Sequence, residues 1–419
     1  MSKSTKQIPR LRLWPYQKNV LFPHDGQFSQ AEDLQIIYSG HSFKNILLKI
    51  IDNAKEQLHV HTYILAEDDS AREILGHILQ AAKRGVEVFI MTDAVGSPWP
   101  DPDWSNFFKQ EGIHFKSFNS SLETHFFDFS RRAHHKVVCA DNQVALVGGL
   151  NIAREYIEEE TNPPNIRPSL PWLDLAIYIK GPSTFHIQSI LLEIYKHDEI
   201  HRDWEQMHLP GVFTCDCKKP YRFLLHDGLK GNFTIRERYL TALYQAQSEI
   251  ILMSGYFVPE NLIVRLLIRA KKNGVRVRIF LTHHSDVRSV HLAQTYLYRR
   301  LIKHGIEILE WRDSILHAKA LFVDGTWLTI GSYNLHYTST WGNIEANVET
   351  TIPQVCQEFS HYIGDYIMPR CSTITHESLG HYGTDFFLGL VSYHLYKSIQ
   401  FFQVLIVAFF KVSWPKEKN

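Results

Sequence analysis

The chain is written twice. Residues Ala54 to Asp93 read AKEQLHVHTYILAEDDSAREILGHILQAAKRGVEVFIMTD, and residues Ala246 to Thr282 read AQSEIILMSGYFVPENLIVRLLIRAKKNGVRVRIFLT. Both run from a short apolar segment ending in an aromatic, through a helical pattern, to a basic-Gly break and an alternating segment. Leu75, Ile78, Leu79 and Ala82 recur at three- and four-residue spacings, which is one face of a helix. Ser70-x-x-Glu73 reads as a capping box at its start, and Gly85 and Gly274 stand where each helix must stop. Val86, Val88 and Ile90 alternate as a strand does, as do Val275, Val277 and Ile279. Each half is therefore a β-α-β unit with a right-handed crossover.

Such a duplication predicts an α/β chain of two similar lobes, related by a pseudo-two-fold axis. Each is a mixed, mostly parallel sheet flanked by helices, and the interface between them is the natural place for one composite site. The expected division is a basic arm over 1–33, a first lobe over 34–204, and a linker over 205–221 marked by Pro210, Gly211 and Pro220. A second lobe over 222–371 and an apolar segment over 372–419 complete it. The proline-rich run from Thr161 to Pro171 is a loop inside the first lobe.

Each half ends in the same motif: His-x-Lys, four residues, Asp, six residues, Gly-Gly/Ser-x-Asn. The first copy supplies His134, Lys136, Asp141, Gly148, Gly149 and Asn151; the second supplies His317, Lys319, Asp324, Gly331, Ser332 and Asn334. In a chain with 24 histidines, one His-x-Lys carries no information, but two copies that share both later spacings do.

On a strand, residues i and i+2 share a face, so each histidine is presented with its lysine. Asp141 and Asp324 fall at turns and are expected to hold the turn and its lysine. The small residues Gly149 and Ser332 would let backbone N–H groups approach an anion at a following helix start. Lys136, Lys319, Asn151 and Asn334 make two similar donor sets for phosphate oxygens, because a phosphodiester's negative charge repels nucleophiles. One imidazole then attacks phosphorus, while the other protonates the leaving alcohol and deprotonates the acceptor. This chemistry calls for no metal and no cofactor. Asp174 and Glu345 occupy comparable positions downstream of the two motifs and would orient the two rings.

These residues resemble those of the phospholipase D superfamily. From about Leu34 to Thr351 the chain is similar to bacterial cardiolipin synthases, most of all to the shorter class B type. The likeness rests on AEDDSAREILGHILQAAKRGVEV, TDAVGSP, HHKVVCADNQVALVGGLNIA and NIEANVE. The resemblance implies a phosphatidyl group passing through a histidine to a second phosphatidylglycerol, with release of glycerol. It implies His134 as nucleophile and His317 as acid/base, each ring oriented by an acid of the opposite half: Glu345 with His134, Asp174 with His317. The chain departs from the family pattern at His336, where Asp is frequent, and at Thr338, where Arg or Leu is common; both bear on the acceptor. Ser339 and Asn343 fit. A hydrolytic phospholipase D would use the same residues, with water as acceptor.

Charge and composition narrow the partners. Lys plus Arg equals Asp plus Glu, at 44 each, whereas a nucleic-acid binder shows a basic excess, so a nuclease of this superfamily is disfavoured. Phospholipids are the expected partners, phosphatidylglycerol foremost and phosphatidylethanolamine as a second candidate. The sequence leaves the oligomeric state open.

Cys139, Cys215, Cys217, Cys356 and Cys371 are an odd, scattered set that suggests reduced thiols in a cytoplasmic setting. Cys215-Asp216-Cys217 lacks a second ligand pair for zinc. His59 and His61 share a strand face; with Leu252 and Ser254 as their counterparts they read as packing or polar contacts rather than metal ligands.

The basic residues Lys3, Lys6, Arg10, Arg12 and Lys18 form either a solvated tail or an arm drawn to anionic lipid, and no apolar run follows them as a secretory signal requires. Near the other end, Phe386 to Trp414 is aromatic and branched, but Ser398 to Phe410 is only 13 uncharged residues, short of the roughly twenty that span a bilayer. An interfacial helix or re-entrant anchor is favoured, with packing on the enzyme's own core as the alternative. The resulting expectation is a peripheral or monotopic protein of the inner membrane, its active site on the cytoplasmic side.

Overall fold

The computed structural model describes residues 29–98, 102–119, 131–158, 170–197, 219–379 and 386–398. The basic residues of the arm, the Cys215 and Cys217 pair and the chain from 399 onward lie outside the described residues.

Two sheets carry the fold. The first runs Asp33–Ile37 (β2), Ala176–Lys180 (β9), Val144–Gly148 (β8), Lys136–Ala140 (β7), Gln57–His61 (β3), Glu87–Asp93 (β4) and His114–Phe118 (β5). The second repeats that order with Lys219–Asp227 (β10), Asn343–Thr350 (β16), Trp327–Gly331 (β15), Ala320–Val323 (β14), Glu249–Ser254 (β11), Arg276–Thr282 (β12) and Glu307–Trp311 (β13). Ser29–Ala31 (β1) and Cys371–Ile374 (β17) extend its two edges, and Arg132–Ala133 (β6) pairs with β16. The duplication read from the sequence is thus a duplication of topology.

The sheets are mixed, as expected, but they are not mostly parallel. Parallel pairing joins β3 to β4 to β5 and β11 to β12 to β13, where helices cross over. Around the His-x-Lys strands the neighbours are antiparallel, and a tight turn joins β7 to β8 and β14 to β15. Two strands also stand outside their expected lobe. β1, from the predicted arm, pairs with β10, and β6, from the first half, runs parallel to β16.

The helix Asp69–Lys83 begins earlier than the capping box implied. Asp68 is its cap, accepting from the Ala71 N–H at 2.8 Å, and the Ser70 hydroxyl donates instead to Glu158. Its apolar face, with Ile74, Leu75 and Ile78, is buried against the first sheet, as the periodicity required.

The register also corrects one correspondence. Leu58 pairs with Ala140 and Ile250 with Val323, and Ala140 and Val323 each precede the motif aspartate. His59 and His61 therefore match Ile251 and Met253, not Leu252 and Ser254. One apolar core includes Val137, Cys139 and Ile177 of the first half together with Met253, Ala318 and Ile344 of the second, so the halves share an interior.

Candidate active site

Both motif histidines sit just before β7 and β14, at the seam between the sheets; Lys136 opens β7 and Lys319 immediately precedes β14. Each is held there by the opposite half: the His134 N–H donates to the Ile344 carbonyl at 3.0 Å, and the His317 N–H to the Leu173 carbonyl at 2.8 Å. The rings are crossed in the same way. His134 Nδ1 lies 2.9 Å from Glu345 Oε2, and His317 Nδ1 lies 2.6 Å from Asp174 Oδ2. Gly148 pairs with Ala176 and Gly331 with Asn347, which makes Asp174 and Glu345 structural equivalents.

Glu345 is fully buried and further held by Ser332 Oγ at 2.5 Å, Ser339 Oγ at 2.6 Å and Asn343 Nδ2 at 3.0 Å. Burial alone would raise its pKa; the facing His134, with Lys136 and the Ser332 hydroxyl, brings it down to about 2. Burial also works against Asp174, but Lys319 and His317 hold it below the usual carboxylate value. Both acids are therefore ionised. Burial lowers the pKa of His134 against the pull of Glu345, and takes His317 to about 3, with Lys319 adding to the effect and Asp174 opposing it. The result is two neutral rings whose Nδ1–H faces a carboxylate, leaving each Nε2 with a free lone pair.

The lysines are buried beside them. Lys136 Nζ donates to the His134 carbonyl at 2.6 Å, and Lys319 Nζ donates to the His317 carbonyl and stands 3.8 Å from Asp174 Oδ2. Burial pulls Lys136 down to about 7 and Lys319 to about 8. An anion entering the cluster would restore their charge.

Aromatic rings wall the cluster. Tyr63 meets His134 edge-on at 4.9 Å, with Lys136 Nζ 5.0 Å from its ring centre. Tyr156, Trp172 and Tyr256 surround His317 at 5.2, 5.5 and 5.9 Å. Nothing in the motif spacing pointed to these rings.

Three of the roles read from the motif change. Gly149 and Ser332 do not offer their N–H groups to an anion, because both are used in the sheet, donating to the Leu175 and Ala346 carbonyls. A Cβ at position 149 would lie 2.3 Å from Asp174 Oδ1, so this glycine makes room for the carboxylate, whereas Ser332 bonds to Glu345. The asparagines are not alike either. Asn151 accepts from the Ile64 N–H and donates to the Tyr156 hydroxyl, while the buried side chain of Asn334 has no hydrogen-bond partner among the described residues.

Asp141 and Asp324 are remote from the cluster. They sit five residues beyond the lysines, about 16 Å along a strand, at turn positions with φ of 55° and 54°. Asp141 accepts from the N–H groups of Lys55, Glu56 and Gln57; Asp324 accepts from those of Gln247, Ser248 and Glu249. They pin each hairpin tip to the adjoining strand and do not touch the lysines.

Behind His134, three histidines fill the interior. His61 Nδ1 lies 3.0 Å from His135 Nε2, and His59 stacks on Phe89 at 4.7 Å. Among the described residues no group of three or more His, Cys, Asp or Glu side chains is arranged to hold a metal ion.

Residues 47–162 and 239–366, more than half of the chain, match the family described as "Cardiolipin synthase, PLD-like domain". The chain belongs to this family. It is 28% identical over 325 residues to cardiolipin synthase B of Escherichia coli strain K12, covering 76% of each chain. Against cardiolipin synthase A of Proteus mirabilis it is 25% identical over 366 residues, 81% of this chain and 70% of that one. Among solved structures, phosphatidylserine synthase of Haemophilus influenzae Rd KW20 shares the fold with a TM-score of 0.68 at 16% identity, over 91% of this chain and 96% of that one. The protein is thus a phospholipase D-type enzyme of the cardiolipin synthase family, with the two-lobed architecture that its repeat implied.

Proposed function

We propose that the protein is a cardiolipin synthase that transfers a phosphatidyl group to phosphatidylglycerol through a phosphohistidine on His134. The observation that carries this reading is the pair of crossed contacts, His134 with Glu345 and His317 with Asp174. The negative phosphodiester entering the cluster favours the charged form of His317, which takes up a proton at Nε2. His134 Nε2 then attacks phosphorus, the bond to the glycerol oxygen breaks, and His317 gives that proton to the departing glycerol. The hydroxyl of a second phosphatidylglycerol then gives its proton to His317, its oxygen bonds to phosphorus, and the P–N bond breaks. Lys136, Lys319 and Asn334 hold the non-bridging phosphate oxygens throughout.

Such an enzyme works on lipids in a bilayer. Among the described residues no helix is long and apolar enough to cross a membrane. The helix over 386–398 buries Tyr393 and donates Lys397 Nζ to the Pro259 carbonyl at 2.6 Å, so one face packs on the enzyme. Its other face exposes Phe387, Leu388, Val391 and Leu395. In our reading this stripe rests in the lipid interface at the cytoplasmic face of the inner membrane.

The deciding experiment incubates purified protein with phosphatidylglycerol vesicles, with and without phosphatidylethanolamine, and identifies the products. Cardiolipin and glycerol are expected, with no cardiolipin from His134→Ala. Phosphatidic acid alone would make the enzyme a hydrolase, and cleavage of DNA without lipid turnover would overturn the reading.

A further inference from the structure

The two halves of the site differ at one position in a way that duplication does not explain. Leu65 bridges to Ile152 as Phe257 bridges to Leu335, so Ala153 and His336 are equivalent, and both are helix caps with extended backbone. Ala153 brings no side chain to its cap; His336 brings a third imidazole to the rim of the site.

That ring is held in one orientation and one tautomer. Its Nδ1 accepts from the Ser339 N–H at 3.4 Å and from the Thr338 hydroxyl at 2.8 Å, so the proton must be on Nε2. Burial pushes its pKa down to about 3; Glu345 opposes the shift, and His134 and Lys319 add to it. Near neutral pH it is therefore an uncharged ring with an N–H to donate. His336 is only partly covered, and it meets the ring of Tyr256 edge-on at 5.9 Å, the same separation at which Tyr256 meets His317.

On the transferase reading, on which this proposal rests, the location matters for a double displacement. The departing glycerol and the incoming alcohol both use the face of phosphorus opposite the nucleophile, where His317 moves the proton. A fixed N–H donor beside that route, absent from the other half, suits a second oxygen on the alcohol. We propose that His336 is an acceptor-selecting residue: its Nε2–H binds the hydroxyl next to the attacking one, favouring a vicinal diol headgroup over water or a simple alcohol. Water and monohydric alcohols have no second hydroxyl for this bond.

The test supplies phosphatidylglycerol vesicles with propane-1,2-diol or propan-1-ol and measures kcat/KM for each phosphatidyl-alcohol product. The wild-type protein is expected to prefer the diol, and His336→Ala to lower that preference about tenfold, the worth of one hydrogen bond. Ala is the residue of the equivalent cap, Ala153, and offers the diol neither donor nor acceptor, so the fold should persist with a melting midpoint lowered by no more than one lost cap. His336→Asn keeps both a cap and an N–H donor and should retain part of the preference. If the wild-type protein transfers to alcohols but His336→Ala leaves the diol preference unchanged, this inference is overturned and the transferase reading stands. If the wild-type protein gives no transfer product, the transferase reading fails and takes the inference with it.

Discussion

His134 Nδ1 donates to Glu345 Oε2 across 2.9 Å, between residues 211 positions apart in the chain. The same carboxylate also accepts from Ser332, Ser339 and Asn343. In Glu345→Gln the amide N–H₂ would face one of these donors, and the ring would lose the charge that fixes its tautomer. Cardiolipin formation should fall on the order of 10³-fold, and a thermal melt should show a lower midpoint. A melt unchanged from wild type would contradict the buried network.

Gly149 and Gly76 make a matched pair. A Cβ at 149 would lie 2.3 Å from the Asp174 carboxylate, whereas none of the described residues lies within 4 Å of one at 76. Gly149→Ala should displace Asp174 from His317 and lower kcat roughly 100-fold. Gly76→Ala, inside the helix Asp69–Lys83, should instead stabilise the protein by about 1 kcal/mol and leave kcat alone. Melting curves and turnover on the same preparations separate the two.

Asp141 and Asp324 are stability residues in this geometry. Asp324→Asn leaves backbone N–H groups with a poorer acceptor and should cost about 1–3 kcal/mol, with kcat per folded molecule preserved. Desolvation raises the pKa of Asp324, but backbone donors from Glu249, Ser248 and Gln247 outweigh it and leave the pKa below its ordinary value. Its contribution is therefore present above the unfolded carboxylate pKa and lost as pH falls through the lower folded value. Urea titrations near pH 7 and near pH 3 should show the variant's deficit shrinking at the lower pH.

The histidines behind the site should make the fold acid-sensitive. Burial lowers His59 to about 4 and His135 to about 3, and holds His61 well below its ordinary 6.5. Lys196 adds to the effect at His59; His135, His59 and Lys116 add to it at His61. At His135, Lys136 and His134 add while Glu345 opposes. These folded pKa values lie below the unfolded one, so between them the unfolded chain binds more protons. Stability is full above about pH 6.5 and declines as pH falls toward the folded values. The double variant His61→Met, His135→Ala, which installs the residues of the other half, should move the acid-unfolding midpoint to lower pH. A midpoint that does not move would show that other groups govern acid unfolding.

Much of this was legible from period and spacing. The repeat and the alternating and helical patterns foretold two like sheets with helices across them. The two motifs named the histidines and lysines now found together. Asp174 and Glu345 could be paired only through the family resemblance, because no local pattern says which half a carboxylate will face. Other features depend on tertiary context. Gly149 has the look of an anion-binding glycine in the sequence, and only the fold places Asp174 above it. Ser70 has the look of a cap, and only the fold gives that place to Asp68. His59 and His61 are matched one residue out of step by sequence alone, since apolar strand segments align equally well in either register until hydrogen bonds fix them.

The short strand β6 has a consequence for how substrate arrives. Arg132 and Ala133 pair with Asn343 and Ile344 of the second sheet, yet four residues later the same segment is inside the first sheet. The return contact from the other side, His317 to Leu173, has the same character. The halves are stitched through the very segments that bear the reacting rings, so swinging them apart would tear the site. On the transferase reading, a headgroup has to reach the two rings with the halves already joined, beside Tyr256 and the partly exposed His336.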